Sequence, residues 1–274
     1  MYANLYLVFR HIALIAALGC LAACNDSLGT GSDTSSTPTN GSPAGVWTGT
    51  DSATGMPMIG LIDSSGTADF FFSNGEQFIG TAQVAGTAIA ISLDGYTQFT
   101  AQFSDGSTYG VGTFNGTLTS GSSITGTLSF TTSDNTASMS TWSLTFSSLY
   151  DTAESLSSIA ATYTGSTSAV SAGLDPLGGA SVTISSSGTL FAQGPSNGCV
   201  ANGTVASPNS SYNMFTVSYT LESCTGTYAV LNGIKFSGLA YVNTGDSPAQ
   251  IVVTATGQGA SSTYYGLVSD LTSS

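Results

Sequence analysis

The sequence predicts an all-β protein built from two tandem, duplicated small antiparallel barrels or sandwiches, preceded by a polar N-terminal tether. Three observations carry this: apolar residues recur at every second position, Gly-containing turn dipeptides punctuate the runs, and short strings repeat in the same order in both halves.

The alternation is sustained. Ile124, Gly126, Leu128 and Phe130 interleave with Thr125, Thr127 and Ser129, and Trp142, Leu144 and Phe146 interleave with Ser143 and Thr145. In the second half Phe215, Val217, Tyr219 and Leu221 interleave with Thr216, Ser218 and Thr220. Successive side chains of a strand point to opposite faces, so each run has one dry and one wet face. The stretch "YTQFTAQFS" predicts a further strand, with Phe99, Ala101 and Phe103 on one side. Asn74-Gly75, Asp94-Gly95, Asp105-Gly106, Asn115-Gly116, Asn202-Gly203 and Asn232-Gly233 are read as hairpin turns.

A departure from strand periodicity marks the middle of the chain. In "YDTAESLSSIAATY" Leu156, Ile159 and Ala160 have helical spacing, with Asp151 or Thr152 placed to cap, so a short helix or turn is expected over 151–163. On either side of it the halves match: "VWTGT" with "TYTGS", "IGLIDSSGT" with "SVTISSSGT", and "FIGTAQVAG" with "CVANGTVAS". The period is about 120 residues. Each half, 45–150 and 164–274, has room for roughly eight to ten strands, enough to close a small barrel and remove its edges.

The N-terminus carries an address. Arg10 and His11 precede the apolar run "IALIAALGCLAA", which is shorter than the roughly 20 residues a membrane-spanning helix needs and suits a signal-peptide core. It ends in Leu21-Ala22-Ala23-Cys24. This motif resembles the lipobox of bacterial lipoproteins, which implies cleavage after residue 23 and acylation of Cys24, with palmitate among the chains. Cys20, after "ALG", is the second candidate, with bulky Leu18 two places before it. Acyl chains contribute about 0.8 kcal/mol per buried methylene and hold a protein to a membrane without a spanning helix. Residues 24–44 are mostly Ser, Thr, Gly, Asp, Asn and Pro and read as a disordered linker with a reach of roughly 25 Å. Asn25, not Asp, follows Cys24, so the resemblance favours the outer membrane of a Gram-negative envelope.

After signal removal Lys235 is the single basic side chain against 15 carboxylates. So acidic a surface argues against nucleic acid, whose phosphates require clustered Lys and Arg, and against charge-driven docking to anionic headgroups. The implied partners are the membrane, through the lipid, and an envelope protein or glycan.

Two cysteines remain, Cys199 and Cys224, in neighbouring strand-like segments. In an exported chain they are expected to form a disulfide, closing a loop of about 25 residues and contributing roughly 3 kcal/mol. No histidine survives in the mature chain, which removes Ser-His-Asp and Cys-His catalysis and imidazole-based zinc sites. No cofactor motif is present, so no cofactor and no metal ligands are assigned.

Carboxylate chemistry remains open. Asp63, Asp69, Glu76, Asp94, Asp105 and Glu222 are the candidates for the acid pair of a glycoside hydrolase, most of them expected in turns. Asp151 with Glu154, and Asp246, are loop carboxylates able to meet calcium, with no spacing that enforces it.

The opening Gly45-Val46-Trp47-Thr48-Gly49 resembles the Gly-x-Trp start of lipocalin- and avidin-type barrels, and the whole is similar to small β-barrel surface lipoproteins of Gram-negative bacteria. The resemblance implies that Trp47 plugs one end of a barrel; lipocalins usually pack that tryptophan against a downstream basic residue, and the mature chain has no arginine. "DFFFS" puts Phe70 and Phe72 on one face and Phe71 on the other, and Tyr264-Tyr265 does likewise, so these strands are buried on both sides or line a ligand mouth. The reading is therefore a non-catalytic, lipid-anchored module binding a protein, glycan or small apolar ligand through residues not identified. A carboxylate-dependent hydrolase and a purely structural envelope protein stand as alternatives.

Overall fold

The computed structural model describes residues 40–97, 102–166, 179–244, 250–259 and 264–273. Eight strands close the first barrel: β1 (Gly45–Asp51), β2 (Pro57–Ile62), β3 (Thr67–Phe72), β4 (Gln77–Ala85), β5 (Ala88–Tyr96), β6 (Tyr109–Thr119), β7 (Ser123–Thr132) and β8 (Ala137–Ser147). Eight more close the second: β9 (Ala161–Ser166), β10 (Ser181–Ile184), β11 (Thr189–Gln193), β12 (Val200–Ala206), β13 (Phe215–Glu222), β14 (Lys235–Asn243), β15 (Gln250–Gln258) and β16 (Tyr264–Ser273). Both are antiparallel meanders closed between first and last strand, Trp47 opposite Phe146 in one and Gly165 opposite Leu271 in the other. Closure leaves neither barrel a free edge.

The duplication is visible in the backbone. The repeated strings fall on equivalent strands, β1 with β9, β2–β3 with β10–β11, and β4 with β12. Gly66 and Gly188 take the same left-handed conformation, φ +89° and +82°. Each carbonyl accepts an N–H from the next strand but one at 2.7 Å, Ala82 in the first barrel and Val205 in the second. The turn residue ahead is Asp63 in one copy and Ser185 in the other, and each side chain accepts the N–H four residues on at 2.9 Å. Trp47 and Tyr163 are also equivalent. Trp47 Nε1 donates to Pro43 O at 3.0 Å, and Tyr163 OH donates to Ile159 O at 2.7 Å, each reaching back four residues.

An eight-stranded barrel has an interior that its own side chains can fill or that can hold one small ligand. Here aromatic rings fill the first one. Fully buried Trp142 lies 5.1–5.9 Å, centroid to centroid, from Phe70, Phe72, Phe78 and Phe114. The second barrel is packed with smaller residues such as Ala192, Ala201 and Val217, and with the stacked pair Tyr219–Phe236. The strand alternations over 123–131, 142–146 and 215–221 are all present, with the apolar members facing these interiors.

Three expected turns are not turns. Asp94-Gly95 lies within β5, Asn115-Gly116 within β6 and Asn202-Gly203 within β12. Glycine is required there for close approach: a Cβ on Gly95 would sit 2.5 Å from the Phe130 ring, and one on Gly203 would sit 2.1 Å from the Ser218 carbonyl oxygen. The other three dipeptides do supply positive φ, at Gly75, Gly106 and Gly233. In "YTQFTAQFS" residues 98–101, with Phe99 and Ala101, lie outside the described residues, and Gln102 and Phe103 are irregular, not strand. Phe103 still packs its ring on Phe130, at 5.3 Å.

The connector takes the turn form of the two expected. It consists of a 3-10 turn over Ser148–Asp151 and a turn at 156–158, and β9 already begins at Ala161. Of the expected linker, residues 24–39 lie outside the described residues, whereas 40–44 lie against the first barrel. Gly41 N donates to Gly86 O at 3.2 Å, and Asn40 Oδ1 accepts from Gly86 N at 2.8 Å.

The two barrels belong to one compact unit. Outward-facing Val46, Leu61 and Phe71 of the first form a buried cluster with Leu239, Tyr241 and Val252 of the second, together with Tyr150 and Met214. This explains "DFFFS": Phe70 and Phe72 point into the barrel and Phe71 into the contact between barrels. The side chains of Tyr264 and Tyr265 lie outside the described residues. No helix among the described residues is long and apolar enough to cross a membrane.

Candidate functional site

Next to the apolar contact, the barrels leave an open cleft of ≈ 560 Å³. The first barrel contributes Asp63, Thr67, Asp69 and Ile79; the second contributes the outward faces of β12–β15, with Thr216, Ser218, Lys235 and Ser237 among them. Strand alternation dictates this lining. Many of their apolar neighbours in sequence face the barrel interiors, so Thr and Ser hydroxyls face outward here, beside apolar Ile79 and Leu239.

Two carboxylates share the cleft. Asp69 pairs across β2–β3 with Leu61 and Asp63 lies two residues beyond Leu61, which makes them diagonal neighbours on one sheet face, roughly 7 Å apart at the backbone. Their environments differ. Asp63 closes the Gly66 turn: its Oδ1 accepts from Ser65 N at 2.8 Å, Ser65 Oγ at 2.7 Å and Thr67 N at 2.9 Å. Asp69 is 1% exposed. Its Oδ2 accepts from Thr254 Oγ1 of the second barrel at 2.7 Å, and Thr254 Oγ1 accepts from Gln77 Nε2 at 2.8 Å. Asp69 Oδ1 is buried with no hydrogen-bond partner. Burial pushes the Asp69 carboxyl up to about 7, with the Thr254 hydroxyl pulling it partly back.

The remaining candidate carboxylates are scattered. Asp94 lies in β5 and accepts from Tyr109 OH at 2.7 Å, a correction that follows from Gly95 being a strand residue. Glu76 is half-buried beside the Asn74-Gly75 turn; burial raises its pKa, Asn74 opposes this and Asp51 adds to it. Asp105 caps its loop, accepting from Thr132 Oγ1 and from Ser107 Oγ and N, and those bonds hold it well below the usual carboxylate range. Glu222 ends β13 exposed. Asp151 closes the 3-10 turn, Glu154 accepts from Ser158 Oγ at 2.6 Å, and Asp246 lies outside the described residues. No group of three or more potential metal ligands among His, Cys, Asp and Glu occurs among the described residues.

Cys199 and Cys224 form the disulfide, joining the residue just before β12 to the segment after β13. Cys24 and Cys20 lie outside the described residues.

Sequence reasoning missed Gln77 and Thr254 and treated Lys235 only as a charge. A signal for Thr254 was present. It interrupts "IVVTA", a run buried at every position, where a one-sided strand would alternate.

No protein-family model matches the chain, and no curated protein matches it in sequence.

Proposed function

We propose that this chain is a lipid-anchored envelope protein whose paired barrels recognise a polyhydroxylated ligand, a glycan, in the cleft between them, without cleaving it. The observation that carries this is the lining of the inter-barrel cleft: Thr67 of the first barrel faces Thr204, Thr216, Ser218, Ser237 and Thr256 of the second, with Asp63 and Lys235 beside them. In the first barrel a small apolar ligand finds no room, because Trp142 and the phenylalanines around it occupy the axis. A sugar's hydroxyls need orienting donors and acceptors, which Thr, Ser, Asp and Lys provide.

Hydrolysis draws little support from the pair Asp63 and Asp69. A general acid must come within hydrogen-bond reach of the glycosidic oxygen, and the Asp69 oxygens are enclosed by the barrel contact. Anchoring rests on Leu21 to Cys24 and the polar stretch after it.

The reading is tested by screening the protein on an array of bacterial envelope oligosaccharides and repeating any hit with Ser237→Trp, which places an indole over the cleft from an exposed strand position. Binding that Ser237→Trp abolishes supports the cleft; binding that survives it, or none on any glycan, refutes it. Palmitate incorporation lost in Cys24→Ala tests the anchor.

A further inference from the structure

Asp69, Thr254 and Gln77 link the barrels inside a largely apolar contact, and neither carboxylate oxygen of Asp69 has a cationic partner. A carboxyl group so enclosed is tolerated far better neutral than ionised. Asp69 borders the cleft yet is 1% exposed, so solvating its charge would require the two barrel faces around it to part, at the edge of the cluster of Leu61, Phe71, Leu239 and Val252.

We propose that the two barrels are held together by a clamp that carries a proton: they stay docked while Asp69 is neutral, and their contact loosens as Asp69 ionises. The titratable and charged groups on the surrounding elements are Asp63 after β2, Glu76 ahead of β4, Asp94 and Tyr96 on β5, Tyr150 and Asp151 in the 3-10 turn, Tyr219 and Glu222 on β13, Lys235 and Tyr241 on β14, and Tyr264, Tyr265 and Asp270 on β16; β15 carries none. Burial, not these charges, is the chief influence on Asp69.

The sign follows from the two states. In the open state Asp69 titrates near its ordinary 3.8, and in the docked state near 7. Docking is therefore at full strength below about pH 4, weakens as pH rises toward 7, and is constant above it. Between pH 5 and pH 8 the opening equilibrium grows by about a hundredfold. That the cleft changes shape with pH follows at once; that ligand affinity changes with it rests on the function proposed above, whereas the clamp does not.

Three methionines report on it in the full-length protein. Met214 belongs to the cluster between the barrels at 4% exposure, Met58 is inside the first barrel at 2%, and Met139 is on the surface at 71%. Hydrogen peroxide converts accessible methionine to its sulfoxide, which mass spectrometry counts residue by residue. From pH 5 to pH 8 the oxidation rate of Met214 is expected to rise by tens of fold to about a hundredfold, with Met58 and Met139 flat. In Asp69→Asn, Met214 stays protected across the range. Thr254→Val, which removes the hydroxyl that lowers the Asp69 pKa, moves the wild-type midpoint to higher pH.

A Met214 rate independent of pH, an unchanged rise in Asp69→Asn, an unmoved midpoint in Thr254→Val, or a parallel rise at Met58 would each overturn the clamp. A glycan titration that fails while Met214 behaves as stated removes the ligand reading and leaves the clamp standing.

Discussion

Thr254→Val asks whether the barrels fold as one unit. Valine has nearly the shape of threonine, so the change deletes the hydroxyl that donates to Asp69 at 2.7 Å and accepts from Gln77 at 2.8 Å, at a position with no exposure. Removing a hydrogen bond from a buried polar group costs about 1–3 kcal/mol, and Asp69 and Gln77 each lose one, with a small gain from the added methyl. The expected loss is about 2–4 kcal/mol, a fall in Tm of roughly 4–16 °C for a domain of this size. The assay is urea unfolding at pH 6 followed by tryptophan emission. Trp47 and Trp142, the two tryptophans of the chain, both report on the first barrel, while residue 254 belongs to the second. Coupling predicts that the tryptophan transition moves to lower urea along with the circular dichroism transition. Replacing all three members together, Asp69→Leu, Gln77→Leu and Thr254→Val, should recover most of the loss, because no polar group is then stranded. A tryptophan transition untouched by Thr254→Val would refute the reasoning.

Further outcomes follow from single sites. Gly66→Ala and Gly188→Ala should destabilise alike, by about 1–3 kcal/mol in thermal unfolding, because both force a Cβ into a left-handed backbone and within 2.7 and 2.2 Å of a carbonyl oxygen. Cys199→Ser with Cys224→Ser should lower stability by roughly 3 kcal/mol in urea, through the freed loop of 25 residues. The depressed pKa of Asp105 means that its contribution is present above the ordinary carboxylate range and is lost as pH falls through its folded value. Asp105→Asn should therefore flatten part of the acid limb of the Tm-against-pH curve and leave the limb near pH 7 unchanged.

Much of this fold is legible in the residues, for an identifiable reason. A strand whose one face is wet advertises itself by alternation, and Ile124 to Phe130 and Phe215 to Leu221 lie where that rule puts them. The glycine dipeptides are less informative. Asn115-Gly116 and Asn74-Gly75 have the same composition, and only the close approach of Thr125 O to the former separates a strand interior from a turn. Sequence marks the docking strands by losing alternation, as in "FFF" of β3, "LAYV" of β14 and "IVV" of β15, but it does not say what covers their second faces. The cleft is a product of that docking. Asp63 and Lys235 are 172 positions apart, and no local pattern brings them to one surface.

The most direct test of the recognition site is an amide chemical-shift titration of the isotopically labelled protein with an envelope oligosaccharide. Shifts concentrated at Thr67, Thr216, Ser218, Lys235, Ser237 and Gly238, on the walls of the cleft, are the expected result. Shifts confined to loops at the barrel ends, or spectra that do not move at saturating sugar, would contradict it.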